Sequence, residues 1–446
     1  MPPGRVQQFS ELVQHRIFPP VNMLYPRPGG YVDDGRDSGS AAVIAVAGLR
    51  RRLVVIAAAT ACLAAWGVTG VAHASGASAG QQSARSRINA VIQRSIRAHD
   101  LHAVIAQVTI GGRPVLTRAY GTSMAGVPAT VRMHFRNGGV AISYMSTLLL
   151  RLVDQGKVSL DDPVSDWLPH LRDASEVTLG ELAGMTAGYH DYVIDPELTQ
   201  LLYTNPFRQF STKLQLRLML KEPLQFTPGT NWSYSHSDYV VLGLALEKIT
   251  HEPLAVALRR QVLNPLGLRN TVASNTPAIP SPVLHAYTAE RRDFLGIKPG
   301  VPFLEDSTYW NPSWTLAHGA IETTDIADMT RTAIGIGTGK LLTRASYRIQ
   351  IDPHAGFGHP QQGCERCATL SHSPGYGLGV FRDNGWILYN PLFGGYGAIE
   401  AYLPSRRISI AVVTTFGEGS FAPNGDISNW AQTIFSQLAE TLAPGQ

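Results

Sequence analysis

Leu148-Leu-Leu-Arg-Leu-Val-Asp-Gln-Gly-Lys-Val-Ser-Leu-Asp-Asp-Pro-Val-Ser-Asp-Trp-Leu-Pro169 decides how this chain is read. Its first half closes an apolar helix that begins at Gly139 and runs towards Gly156. Its second half is a Pro-containing turn. Just ahead of the helix stands Phe135-Arg-Asn-Gly-Gly-Val-Ala-Ile142. Gly139 and Ile142 lie one turn apart and share a helix face. Neither side chain can attack a carbonyl or move a proton.

Working outward, Arg85 to Asp100 places Ile88, Val91, Ile92 and Ile96 on one helical face. His102–Ile110 and Pro114–Tyr120 are β-rich runs around Gly111-Gly-Arg113, a hairpin signal. Thr178-x-x-Glu181 is a capping box for a short helix. Tyr239–Thr250 and Pro253–Leu266 read as helices, the second ending near Gly267. A capped helix follows Thr323-Thr-Asp325 and continues to about Ile334, where Gly335 opens a Gly-rich stretch. Strands are expected at Gly377–Phe381, Trp386–Tyr389, Ile399–Leu403 and Ile408–Thr415, then a helix over Ile427–Leu442. Consecutive strands with short turns pair antiparallel. This is an α/β (α+β) chain: an antiparallel sheet flanked by helices and built from both chain ends, with a helical lobe inserted. The sheet lobe is expected from 85–138 and 315–446, the helical lobe from 139–314.

The 446 residues are 44% hydrophobic, ample for a large core. With 37 basic and 33 acidic residues the net charge is +4, and no long basic run argues for nucleic acid. Nothing in the sequence calls for a cofactor.

Arg50-Arg-Arg52 precedes an apolar run from Leu53 to Val71, and Ala72-His-Ala74 is a small-x-small pattern. Residues 49–74 therefore read as a signal peptide with Ser75 the mature start, and 75–84 as a linker. A secreted or cell-envelope protein is expected. The alternative is a single-pass membrane anchor, since the run approaches the ~20 residues that span a bilayer. Contact with a membrane is expected only through that segment, if it stays uncleaved. Residues 1–48 have two readings: a gene start placed too early, or a disordered tail.

Cys364 and Cys367 form a Cys-x-x-Cys, read first as a local disulfide in an oxidising compartment. His359 and His372 flank the pair, so a zinc- or redox-linked module is the alternative. No metal site is expected on the first reading.

The Leu148–Pro169 string resembles the helix and turn after the nucleophile in the β-lactamase-related serine hydrolases. That family includes class C β-lactamases, D-alanyl-D-alanine carboxypeptidases and esterases. Thr178–Tyr192, Pro228–Thr250, Leu316–Ala327, Gly375–Val380 and Gly397–Phe416 resemble further parts of it. The resemblance covers about Arg85 to the C-terminus and implies a β-lactamase/transpeptidase-like fold with a Ser-x-x-Lys nucleophile motif. Gly139 takes the serine position here and Ile142 the lysine position. Tyr234-Ser-His236 stands for Tyr-x-Asn, which puts Tyr234 at the general-base position and leaves His236 as a residual acid–base group. Pro391-Leu-Phe393, registered from Gly397, stands for the motif on the strand facing the nucleophile. The amides of Gly139 and Gly394 are a candidate oxyanion-like pair, and Ile142 and Phe393 candidate cleft walls.

The leading expectation is an exported, catalytically degenerate member that binds a cell-wall peptide or a small acyl compound. The alternative is an active esterase, peptidase or β-lactamase-like enzyme with a displaced nucleophile. Ser143, Ser235-His236 and His190-Asp191 are the groups weighed for that rescue.

Overall fold

A computed structural model describes residues 72–446. The readings made of residues 1–48, and of the apolar run as far as Val71, lie outside the described residues.

The first helix, Ala72–Ala98, buries Ala84, Ile88, Val91 and Ile92. It takes in residues 75–84, expected to be a linker. Once the buried turns near Ile88 nucleate a helix, adding turns ahead of them through alanine-rich sequence costs little. The helix packs on the last one, Trp430–Leu442, where Ser95 Oγ reaches Gln437 Oε1 at 3.5 Å.

The hairpin follows. Leu101–Ile110 and Arg113–Met124 pair antiparallel around Gly111 and Gly112, whose φ of 61° and 78° side-chain-bearing residues rarely adopt. Leu101–Ile110 also pairs antiparallel with Ile408–Phe416, placing Val104 opposite Thr414 and Ala106 opposite Val412. The main sheet runs Val127–Pro128, Arg113–Met124, Leu101–Ile110, Ile408–Phe416, Tyr396–Leu403, Trp386–Tyr389, Phe381–Asp383, Gly375–Tyr376. Leu392–Phe393 pairs with Tyr396–Leu403 off that path. Antiparallel pairing throughout, with strands drawn from both ends of the chain, is the expected architecture.

The expected Gly377–Phe381 strand is instead two short strands, Gly375–Tyr376 and Phe381–Asp383. The chain turns at Gly379 (φ 72°), where a Cβ would collide with Ser146 of the buried helix. A second small sheet joins Phe135–Arg136, Glu322–Thr324 and Val272–Ala273. It anchors the backbone just ahead of Gly138.

The helix Val140–Asp154 is the hub of the molecule: every residue from Val140 to Leu150 is buried. A helix apolar all round belongs inside a core. The helix His236–Thr250 packs against it. The expected capping box holds Leu179–Gly184, with Thr178 accepting from the Glu181 N–H and Glu181 accepting from the Thr178 N–H. The stretch from Leu254 to Leu266 is helical but widens to a π turn at Arg259–Leu263. Pro265 lacks an N–H, and the wider turn absorbs that gap. Helices at Pro196–Thr204, Thr212–Met219 and Arg344–Gln350 complete the helical part.

Candidate functional site

Gly139 caps the central helix with φ −64° and ψ −7°, a conformation open to any residue. The N–H groups of Val140, Ala141 and Ile142 donate to the carbonyls of Asn137, Gly138 and Gly139 at 3.1, 3.3 and 3.0 Å. What requires glycine is space. A Cβ on Gly139 would stand 2.5 Å from Cε1 of Tyr389, and one on Gly138, whose φ is 49°, would stand 2.7 Å from Cβ of Pro391. The volume a serine side chain would need is taken by a tyrosine ring.

Ile142 is fully buried within the hub helix, so it lines no open cleft, contrary to expectation. One turn into an all-buried helix, a side chain meets core rather than solvent. The facing strand also needs correction. The residue opposite Gly139 is Tyr389, the last of Trp386–Tyr389, whereas Pro391 packs on Gly138. Phe393 pairs with Tyr396 and stands 5.6 Å from Trp314, ring centre to ring centre. Gly394 forms the corner of that hairpin with φ 44°, and its carbonyl accepts from Ser307 Oγ at 2.6 Å.

Tyr234 is buried beside this contact, its hydroxyl 2.9 Å from that of Tyr389. Its ring lies edge-on to His236 at 5.2 Å and stacks on Phe381 at 6.2 Å. Burial pushes the hydroxyls of both Tyr234 and Tyr389 well above the ordinary phenol range. A phenol held protonated cannot take a proton from a nucleophile at neutral pH.

His236 opens the helix His236–Thr250 and is partly exposed. Its Nδ1 is 3.1 Å from Asp191 Oδ2, and its backbone N–H donates to Asp191 Oδ1 at 3.2 Å. The carboxylate thus pairs with His236, not with its neighbour His190. Arg366 donates from Nη1 to the same Asp191 oxygen. Burial alone would raise the Asp191 carboxyl, but the His236 and Arg366 charges overcome it and hold the group at about 2.

Arg366 stands between Cys364 and Cys367, which are disulfide-bonded. Both cysteines are buried against Phe226. Cys367 makes a β-bridge to Ser233, and the Ala368 N–H donates to the Trp232 carbonyl at 3.2 Å. The staple therefore fixes Arg366 over Asp191 beside the Tyr234 segment. Sulfurs in a disulfide are not thiolates that could hold a metal. Among the described residues no three His, Cys, Asp or Glu gather as a metal site.

The serines weighed as substitutes are spent inside the fold. Ser143 Oγ donates to the Val140 carbonyl at 2.7 Å, and Ser235 Oγ to Asp238 at 2.9 Å. The sequence missed Tyr389 and Arg366. Tyr389 lay two residues outside the registered motif, and Arg366 hid within a motif read only for its sulfurs.

A small pocket of about 10 Å³ opens beside Gly138, lined by Arg136, Pro312, Thr315, Ile321, Glu322 and Phe393. Burial raises the Glu322 carboxyl to about 8 and lowers the Arg136 guanidinium to about 10.

An antiparallel sheet closed by both chain ends, with a buried helix starting opposite a strand of that sheet, defines the β-lactamase and penicillin-binding-protein fold class. The chain belongs to the Beta-lactamase family, which its residues 88–433 match. It is 33% identical over 203 residues to Esterase EstB of Burkholderia gladioli, covering 42% of this chain and 51% of the esterase. It is 28% identical over 156 residues to a Salmonella typhimurium protein assigned by name to the D-alanyl-D-alanine carboxypeptidases, covering 32% of this chain and 35% of that protein. The matches thus span about half of the one relative and a third of the other. Among solved structures it resembles a D-stereospecific amidohydrolase from Streptomyces (TM-score 0.65, 20% identity, 81% of this chain and 98% of that one). It also resembles a penicillin binding protein from Bacillus halodurans (TM-score 0.61, 17% identity, 79% and 99%). At these identities the structures speak for the fold alone. Among the described residues no helix is long and apolar enough to cross a membrane.

Proposed function

We propose that this chain is an exported member of its family that has given up serine acylation and acts as a binding protein. One observation carries the reading: Tyr389 fills the space that a side chain would need at Gly139, where the family resemblance puts the serine. Two others support it. The lysine position is a buried isoleucine, and the tyrosine at the base position is held protonated by burial. In another hydrolase, loss of the serine alone costs about 10⁶ in turnover. The ligand class follows from the relatives, whose names point to esters and D-alanyl peptides. A cell-wall peptide or a small acyl compound fits that range. Export is supported by the Arg50–Ala74 pattern and by the disulfide. N-terminal sequencing of protein recovered outside the cytoplasm should begin at Ser75.

The test is covalent labelling of the folded protein with a fluorophosphonate and with a fluorescent penicillin. No label should attach. A label mapped to any serine refutes the proposal.

A second reading is favoured by the Asp191–His236 pair. A carboxylate 3.1 Å from Nδ1 orients the imidazole, here for acid–base work on water rather than on a serine. Slow hydrolysis of an activated aryl ester, lost in His236→Gln and accompanied by no covalent label, would establish it.

A further inference from the structure

The pocket beside Gly138 is not absorbed by the tyrosine contact that closes the serine position. It is lined by half-buried Gly138, Thr315 and Phe393 and by buried Arg136, Pro312, Ile321 and Glu322. Arg136 is 3% exposed. Its Nη2 donates to the carbonyls of Pro277 and Trp310 at 2.8 and 3.4 Å. Its Nε and Nη1 are buried with no partner among the described residues. A guanidinium keeps its charge and offers donors only, so two nitrogens of a buried cation that lines this pocket are left without acceptors among the described residues. Asn137 Nδ2 donates to Glu322 Oε2 at 3.4 Å, and Glu322 Oε1 is likewise buried without a partner. A buried polar atom without a partner is costly, and a charged one most of all.

We propose that this pocket binds the carboxylate end of a small organic acid, with Arg136 donating to it and Phe393 and Ile321 flanking the apolar part. The proposal rests on the binding-protein reading and names its ligand class. The space inside, about 10 Å³, suits a single small polar group such as one carboxylate oxygen. The rest of the acid lies outward, past Thr315 and towards the Trp314–Phe393 pair. Burial keeps Glu322 protonated at neutral pH, so it presents a donor to the acid rather than a second negative charge. Charge-assisted hydrogen bonds in a water-poor site are the stronger kind.

Calorimetric titration of the full chain with benzoate and hexanoate, against benzamide and hexanamide, tests this. The carboxylates should saturate one site, and the amides should bind at least about tenfold more weakly, the effect of losing one charge-assisted contact. Arg136→Gln should remove that preference. Should Arg136→Gln not fold, Thr315→Trp on the half-buried lining should block the carboxylates while the protein stays folded. Acids and amides titrating alike, no binding of either, or binding unchanged in Thr315→Trp overturns the proposal. These acids cannot acylate a serine. A negative result therefore leaves the labelling test of the non-acylating reading untouched, and a labelled serine would not create binding here.

Discussion

Gly139→Ala puts the contact between the helix start and the facing strand to a quantitative test. The backbone at Gly139 has φ −64° and ψ −7°, which alanine adopts without strain. By backbone entropy alone the substitution should stabilise the protein by about 0.4–1 kcal/mol. The new Cβ, however, would stand 2.5 Å from Tyr389 Cε1, with Cδ1 at 3.3 Å and Cζ at 3.4 Å. Tyr389 cannot swing aside freely. It is 1% exposed, meets Phe381 edge-on at 5.4 Å and shares a hydroxyl contact with Tyr234. Overpacking of this kind costs about 1–3 kcal/mol, so the net effect in the wild-type background is a loss. In a Tyr389→Ala background the clash is gone, and the same substitution should be neutral or stabilising. The two backgrounds should differ by about 1–3 kcal/mol, the overpacking cost itself and within the range of couplings between touching residues. The assay is a double-mutant cycle by equilibrium guanidinium denaturation. A coupling below about 0.5 kcal/mol, the additivity expected of independent sites, would refute the claim that Tyr389 occupies the serine's place.

Three further outcomes follow from the same site. Gly139→Ser with Ile142→Lys should not restore acylation by fluorescent penicillin and should destabilise the fold by several kcal/mol, because the lysine would enter a fully buried position without a partner. Asp191→Asn should cost about 3–5 kcal/mol near neutral pH, since it strands Arg366 and His236 without their carboxylate. With Asp191 lowered to about 2, the wild type's advantage should be complete above the unfolded carboxyl's ~4 and shrink as pH falls towards 2, as denaturation midpoints across pH would record. Glu322, raised to about 8, behaves in the opposite sense. Its proton-linked contribution is full below ~4.5 and is lost as pH rises towards 8, so Glu322→Gln should flatten that decline in stability.

Local chemistry was the legible part of the fold. Gly111-Gly112 announced the hairpin, Thr178 and Glu181 the capped helix, and the apolar run after Gly139 the hub. Each depends on neighbours within a few residues. The short helices Pro196–Thr204 and Thr212–Met219 went unread because their buried faces hold only three residues each. At the site, Tyr234 and Gly139 were marked by position in familiar strings. Their actual partner, Tyr389, is set by where the Trp386–Tyr389 strand ends, and counting back from Gly397 across a two-glycine corner misplaced it. The ion pair of Arg366 with Asp191 spans 175 residues, and no periodicity encodes such a contact.

The pairing of Leu101–Ile110 with Ile408–Phe416 sets a schedule for the newborn chain. The two strands lie some 300 residues apart, so at 5–20 residues per second the first must wait roughly 15–60 s on the ribosome for the second. Meanwhile the early hairpin offers an apolar strand with one unpaired edge, the kind of edge that recruits wrong partners. Synthesis that stalls before Ile408 leaves a template for aggregation rather than a smaller folded protein. A long wait between partner strands is thus written into the middle of its sheet.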